Sequence, residues 1–291
     1  DVVTFTGSAI TGRMLKSTPR IIEEAVPFNM EADSLNCIVL GKDAAPGTEE
    51  FTLFLKEVRR EMTVKSGQKC TAIRRIIVPA DYIEDVQIQL GAALQRTTVG
   101  DPRVEGVKMG ALAGKDQVAE VKEKINKLLQ TSQMVYGNLD QVDIFGDSNP
   151  NGAYMAPVLL RQDDPFKNTD VHDIEAFGPV STIMPYDTLD DAIQLAKMGK
   201  GSLVCSVATY DDKIARDYVL GAASYHGRIL VLNRESAPES TGHGSPMPLL
   251  VHGGPGRAGG GEEMGGVRGV KHYMQRCAVQ GSPSTLTEVT G

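Results

Sequence analysis

Tryptophan is absent from the 291 residues, and aromatic residues make up only 5% of them. Large aromatic anchors therefore contribute little, and the 31 glycines point instead to many close backbone approaches. Positive charge is not concentrated anywhere: 30 Lys and Arg stand against 37 Asp and Glu, the net charge is −7, and no basic run occurs. A nucleic-acid groove or a membrane-surface helix needs clustered positive charge, so both are excluded. No run of about 18 apolar residues exists, which excludes a membrane-spanning helix. The 4 cysteines, Cys37, Cys70, Cys205 and Cys277, stand far apart with no CxxC pair. Reduced thiols in a cytoplasmic compartment fit this pattern better than a disulfide scaffold. The 5 histidines form no ligand-spaced cluster, so no metal site is expected. A signal-peptide pattern is missing too, but residues 1–7 read as the middle of a strand, which places the natural start upstream.

What is present is a substantial apolar fraction, 41%, arranged in strands separated by helices. Strands are expected at 2–5, 37–40, 73–78, 134–136, 154–160, 180–186, 203–209 and 228–232. Phe51, Phe54, Leu55, Val58 and Met62 recur at helical spacing behind Thr48 as cap. Further helices are expected around Ile83 to Leu94, Val118 to Leu129, and over 189–197, 211–223 and 262–273. The acids Asp190-Asp191 and Asp211-Asp212 open two of these helices, where capping explains them. The alternation argues for an α/β fold with a largely parallel sheet.

Four stretches carry candidate chemistry. Ser66-Gly67-Gln68-Lys69-Cys70-Thr71 puts a thiol on a tight connection between a helix and a strand, with a backbone N–H beside it. Cys70 is thus a candidate nucleophile, and selective labelling would mark a depressed thiol pKa. Thr6-Gly7-Ser8 joins a strand to a helix, either as a phosphate-facing turn or as a plain βα connection. Glu31 is either an exposed loop carboxylate or, if buried, a base with a raised pKa. The run 238–261, rich in glycine, serine and proline, is either a flexible linker or a loop threading past a ligand. Cys37, Cys205 and Cys277 lie in apolar, strand-like runs and read as inert, with 277–279 a short edge strand.

Taken in order, Phe5-Thr6-Gly7-Ser8, Glu31, Gly67-Gln68-Lys69-Cys70, Glu175-Ala176-Phe177-Gly178-Pro179 and the His252 loop resemble the aldehyde dehydrogenase superfamily. Phe28-Asn29-Met30-Glu31-Ala32-Asp33-Ser34-Leu35-Asn36 and Val251-His252-Gly253-Gly254-Pro255-Gly256-Arg257 are similar to one branch of it. In that branch, from bacterial phenylacetate degradation, the dehydrogenase is fused to an enoyl-CoA hydratase-like domain. The resemblance implies an aldehyde dehydrogenase-like α/β fold: a Rossmann-like catalytic domain with a mostly parallel sheet, plus a remnant of the cofactor domain. Residues 1–32 would be that remnant and 33–251 the catalytic domain. Residues 252–281 would form the glycine-rich loop, helix and edge strand, and 282–291 a linker to a further domain.

The implied activity is oxidation of a CoA-linked semialdehyde to the acid, with NADP, or NAD, as hydride acceptor. Cys70 would attack the aldehyde, Glu31 would activate the hydrolytic water, Glu175 and Phe177 would contact the nicotinamide nucleoside, and Gly7 and Ser8 its pyrophosphate. His252 would shape the substrate tunnel or act as an acid or base. Ala32-Asp33-Ser34 stand where most members carry Leu-Gly-Gly, which removes a backbone contact to the nicotinamide. A homo-oligomer is expected. Two other readings remain open: a CoA-acylating enzyme, against which Glu31 weighs, and a non-catalytic fragment. The fragment reading notes that the adenine-binding half and a second oxyanion donor would lie upstream, so that these 291 residues alone would bind NADP poorly.

Overall fold

A computed structural model describes residues 2–146, 149–245, 252–261 and 266–290. The elements in order are β1 (Val3–Thr6), α1 (Ala9–Lys16), α2 (Pro19–Glu23), β2 (Phe28–Glu31), β3 (Cys37–Leu40), α3 (Glu49–Thr63), β4 (Arg75–Pro79), α4 (Ile83–Gln95), α5 (Lys115–Leu128) and β5 (Gln133–Tyr136). They continue with β6 (Val158–Arg161), β7 (Val180–Tyr186), α6 (Leu189–Lys197), β8 (Ser202–Ala208), α7 (Asp212–Ala222), β9 (His226–Leu232), β10 (His252–Gly254), β11 (Gly259–Gly261), α8 (Val267–His272) and α9 (Pro283–Thr290).

Seven strands form one sheet in the order β5-β6-β7-β4-β3-β8-β9. Every pairing in it is parallel except β5 with β6. Strand alternation divides the core between the two faces of this sheet. Cys37 and Val39 of β3 face a layer containing Val121, Ile125, Leu195 and Tyr218 from α5, α6 and α7. Ile38 and Leu40 face Phe51, Phe54, Val58 and Met62 of α3 and Val86 and Leu90 of α4. Helices thus cover both faces, as a buried parallel sheet requires. The expected caps form as well: Thr48 accepts from Phe51 N–H at 3.2 Å, and Thr188 with Asp191 closes a capping box on α6.

A second sheet, β1-β2-β11-β10, joins the two ends of the chain. β1 and β2 are parallel, with Thr6 opposite Glu31, and Gly259 of β11 pairs with Glu31 from the other side. Within the glycine-rich run, residues 252–261 therefore form a hairpin docked on β2, while residues 246–251 lie outside the described residues. Gly259 shows why glycine is needed there: its φ is +61°, and a Cβ would overlap the Met30 carbonyl oxygen.

Two local expectations fail. The strand expected over 154–160 begins only at Val158, where pairing with β7 starts. Residues 277–279 form no strand and Cys277 is exposed, because no strand among the described residues lies there to satisfy its backbone. The tail expected as a linker carries a short helix, α9, with Pro283 in its first turn and the Ser282 hydroxyl accepting from Thr285 N–H at 3.3 Å, which leaves that expectation standing. Of the helix expected over 262–273, residues 262–265 lie outside the described residues, as does Val251 of the quoted loop.

Candidate active site

Cys70 follows an unusual turn. Lys65, Ser66 and Gly67 adopt successive left-handed conformations, with φ of +52°, +54° and +68°. Such geometry costs roughly 1–2 kcal/mol per non-glycine residue and persists only where its surroundings hold it. The Ser66 hydroxyl donates to the Gly110 carbonyl at 2.7 Å. Gly67 lies so close to Gly178 that a Cβ would strike the Gly178 carbonyl oxygen. Arg74, buried at the start of β4, donates to the carbonyls of both: Gly178 at 2.6 Å and Gly67 at 2.7 Å. On the other side, Asn36 Nδ2 donates to the carbonyls of Cys70 at 2.8 Å and Ala72 at 3.0 Å. Asn36 Oδ1 accepts from the Ser34 hydroxyl and from Val204 N–H. The thiol is thus carried on a turn whose backbone is pinned from two directions.

β2 delivers Glu31 to the same place. Its side chain and that of His252, each on a residue only 9% exposed, come together across the small sheet. His252 Nε2 lies 3.5 Å from Glu31 Oε2 and 3.9 Å from Cys70 Sγ. The reactive atoms of Glu31, Cys70 and His252 all lie within 4.8 Å of one another. His252 Nδ1 is shielded from water and has no hydrogen-bond partner among the described residues.

The electrostatics differ from the sequence-based expectation at both acids. Burial pushes the Cys70 thiol up to about 12, and the adjacent Glu31 carboxylate adds to the shift. The turn therefore does not create a low-pKa thiol. For Glu31, burial is the largest single influence and acts upwards. Hydrogen bonds from His252 and Cys70, with the field of His252, together outweigh it and hold the carboxyl below its usual range. Glu31 is buried, as one alternative required, yet its pKa moves opposite to the expected rise.

Glu175 and Phe177 sit on the turn that Gly67 touches. The Phe177 ring lies under the Arg74 guanidinium at 5.3 Å, and its carbonyl accepts from Gln68 Nε2 at 3.3 Å. Glu175 Oε1 is 3.9 Å from Arg74 Nε, and neither atom has a hydrogen-bond partner among the described residues although both are shielded from water. Burial pushes the Glu175 carboxyl up to about 7, against the pull of Arg74. Gly7 and Ser8 lie on the exposed β1–α1 turn, and Gly7 N–H donates to the Glu31 carbonyl at 3.2 Å. The Ser8 hydroxyl caps α1 through Thr11 N–H at 3.2 Å.

Arg74 and Asn36 are invisible in local sequence, because their work is to tie segments distant along the chain. A third such tie had a signal. Asp33 replaces a usual glycine, and Asp33 Oδ2 accepts from Arg257 Nη2 at 2.6 Å. Arg257 also donates to the His172 and Asp173 carbonyls, which moors the hairpin that carries His252. The histidines, scattered in sequence, do meet other donors in space: His226 lies with Cys37 and Cys205, all buried, with one donor atom of each within 4.8 Å.

The aldehyde dehydrogenase family model matches residues 1–279. The chain belongs to the aldehyde dehydrogenase family. It is 43% identical over 255 residues to 3,4-dehydroadipyl-CoA semialdehyde dehydrogenase of Aromatoleum evansii, covering 88% of this chain and 50% of that protein. It is 50% identical over 182 residues to Protein MaoC of Klebsiella aerogenes, covering 62% and 52% respectively. The chain thus spans about half the length of the relatives it matches. Aldehyde dehydrogenase C of Pseudomonas syringae, solved as a cysteine-to-alanine variant with NAD+ and octanal, superposes with a TM-score of 0.77 at 22% identity over 94% of this chain and 52% of that one. Lactaldehyde dehydrogenase of Escherichia coli gives 0.77 at 22% identity over 96% and 53%. The dehydrogenase fold is shared, and no helix among the described residues is long and apolar enough to cross a membrane.

Proposed function

We propose that the chain carries the catalytic part of a hydrolytic aldehyde dehydrogenase acting on a CoA-linked semialdehyde, with NADP, or NAD in its place, as cofactor. One observation carries this reading: the thiol of a turn pinned from two directions meets, within 4.8 Å, a carboxylate from β2 and an imidazole from β10. The aldehyde forms a C–S bond to Cys70, and its oxygen takes the carbonyl electron pair beside the Cys70 N–H. When bound, the nicotinamide nucleotide supplies the hydride acceptor. The lone buried Glu175 Oε1 fits an acceptor for a ribose hydroxyl, Phe177 would border the ring, and Gly7 and Ser8 at the start of α1 would face the pyrophosphate. Glu31, held below its usual range, is a carboxylate at neutral pH and takes the proton of the water that attacks the Cys70 thioester. His252 walls the acyl pocket.

The same resemblance assigns residues 1–32 to the end of the cofactor-binding part. The relatives are twice as long as the matched stretch, which supports a longer parent protein. We assign that parent a fused hydratase-like domain and a homo-oligomeric, cytoplasmic existence. The test is oxidation of a CoA-linked aldehyde with NADP+ in heavy-oxygen water by the full-length protein. Heavy oxygen in the product carboxylate is expected. A new CoA thioester formed from added free CoA, with no carboxylate, would establish acyl transfer instead.

A further inference from the structure

Two steps of the proposed reaction need a proton acceptor. Cys70 must lose its thiol proton before it attacks, and water must lose one when the thioester is hydrolysed. Glu31 lies beside Cys70 and is assigned the second of these protons. If it also took the first, it would have to release that proton to solvent before water attacks. His252 offers a second acceptor at the thiol: its Nε2 stands 3.9 Å from Cys70 Sγ and 3.5 Å from Glu31 Oε2. Both are long hydrogen-bond separations, as is common before substrate tightens a site. The other ring nitrogen, Nδ1, is buried without a partner among the described residues. Nothing therefore locks the ring in one tautomer, and Nε2 is free to accept from Cys70 in one state and to donate to Glu31 in the other.

We propose that His252 is the proton acceptor for Cys70 and stores the thiol proton, paired with Glu31, for as long as the acyl-enzyme exists. This inference rests on the reading of Cys70 as the nucleophile. The S–H bond breaks, its proton moves to Nε2, the S–C bond forms, and the carbonyl pair moves to oxygen. Once the adduct stands as the thioester, water attacks it and gives its proton to Glu31. Collapse of the tetrahedral adduct expels the Cys70 thiolate, which recovers its proton from His252. Glu31 releases its proton to solvent, and both groups return to their starting states.

Charged groups around the trio favour this arrangement unequally. Glu31 on β2 and Glu175 on the neighbouring turn disfavour the Cys70 thiolate, whereas Arg228 on β9 interacts favourably with it. An imidazolium formed at His252 adds a positive charge between Cys70 and Glu31, next to both anions. The hairpin that carries it is moored by the Asp33–Arg257 pair, so the ring is presented to the thiol by a fixed support.

The test uses the full-length protein and p-nitrophenyl acetate, which acylates a thiol without any cofactor. The burst of nitrophenolate reports acylation, and the slower phase reports hydrolysis. His252→Gln is expected to slow the burst on the order of a hundredfold at neutral pH, with the deficit shrinking as pH rises and hydroxide takes over. His252→Phe, which keeps the bulk of a pocket wall, is expected to be equally slow, and imidazole added to His252→Ala is expected to restore part of the rate. A fast burst in the folded Phe variant, or no imidazole rescue together with an unchanged pH profile, overturns the proposal. A wild-type burst that survives Cys70→Ala would instead overturn the assignment of the nucleophile itself, so the two failures are distinguishable.

Discussion

Arg74 offers the most quantitative test of how the site is held. Replacement by Met removes the guanidinium but keeps most of the apolar stem. The carbonyls of Gly67 and Gly178 then lose donors at 2.7 and 2.6 Å, and both lie where water does not replace them. Hydrogen bonds from a charged donor contribute roughly 1.5–3 kcal/mol each, so the gross loss is roughly 3–6 kcal/mol. Burying the guanidinium is itself costly, as its lowered pKa from desolvation shows, and this offsets part of the loss. A net destabilisation of about 3 kcal/mol follows. Arg74→Lys reaches only one carbonyl at a time and is expected to lose about half of that. Urea unfolding measures the stability, and the nitrophenyl-ester burst measures whether Cys70 remains placed. The turn bearing Phe177 should separate from the turn bearing Cys70, so the burst slows along with the loss of stability. An Arg74→Met protein within about 0.5 kcal/mol of wild type, with an unchanged burst, would refute the clamp.

Other consequences are as direct. Gly67→Ala places a Cβ against the Gly178 carbonyl at a φ of +68° and should cost more than about 1 kcal/mol in urea unfolding. His172, His226 and His243 are held neutral by burial, each with a folded pKa of about 3 against 6.5 unfolded. The unfolded chain therefore binds more protons between these values. The histidine contribution is complete above about 6.5 and falls on acidification, by up to about 4 kcal/mol per pH unit for the three together, while Glu175, raised to about 7 by burial, takes up a proton in the folded protein over the same window and offsets about a third of it. Thermal unfolding from pH 7 to 5 checks the sign, and a melting temperature that rises on acidification would contradict it. Because the Cys70 thiol stands at about 12, its alkylation by iodoacetamide should be slow at neutral pH without cofactor and accelerate above pH 9. A fast, pH-independent reaction would contradict that environment.

Legibility in the sequence followed the range of the interactions. β3 and α6 appear at the expected residues because period-two and period-3.6 apolar patterns are local. Propensity alone overextended the strand at Tyr154, where no partner strand begins before Val158. It also made an edge strand of 277–279, whose backbone has no ladder to join. Cys70, Glu31, Glu175 and His252 could be picked out because their types suit the chemistry and their order resembles a family. The supports of the site could not. Asn36 ties β3 to the Cys70 turn and Arg74 ties two turns more than 100 residues apart, contacts that no local pattern encodes. The direction of the Glu31 shift was misjudged for the same reason: burial was foreseeable, but the hydrogen bonds from His252 and Cys70 that outweigh it were not.

Cys70 as nucleophile with Glu31 as the hydrolytic base is tested most directly by intact-protein mass spectrometry after brief exposure to the nitrophenyl ester. Glu31→Gln should accumulate one acetyl group, mapped by peptide digestion to Cys70, while wild-type protein clears it. Equal clearance by the two proteins, or an acetyl group on Cys37, Cys205 or Cys277 in place of Cys70, would contradict this assignment.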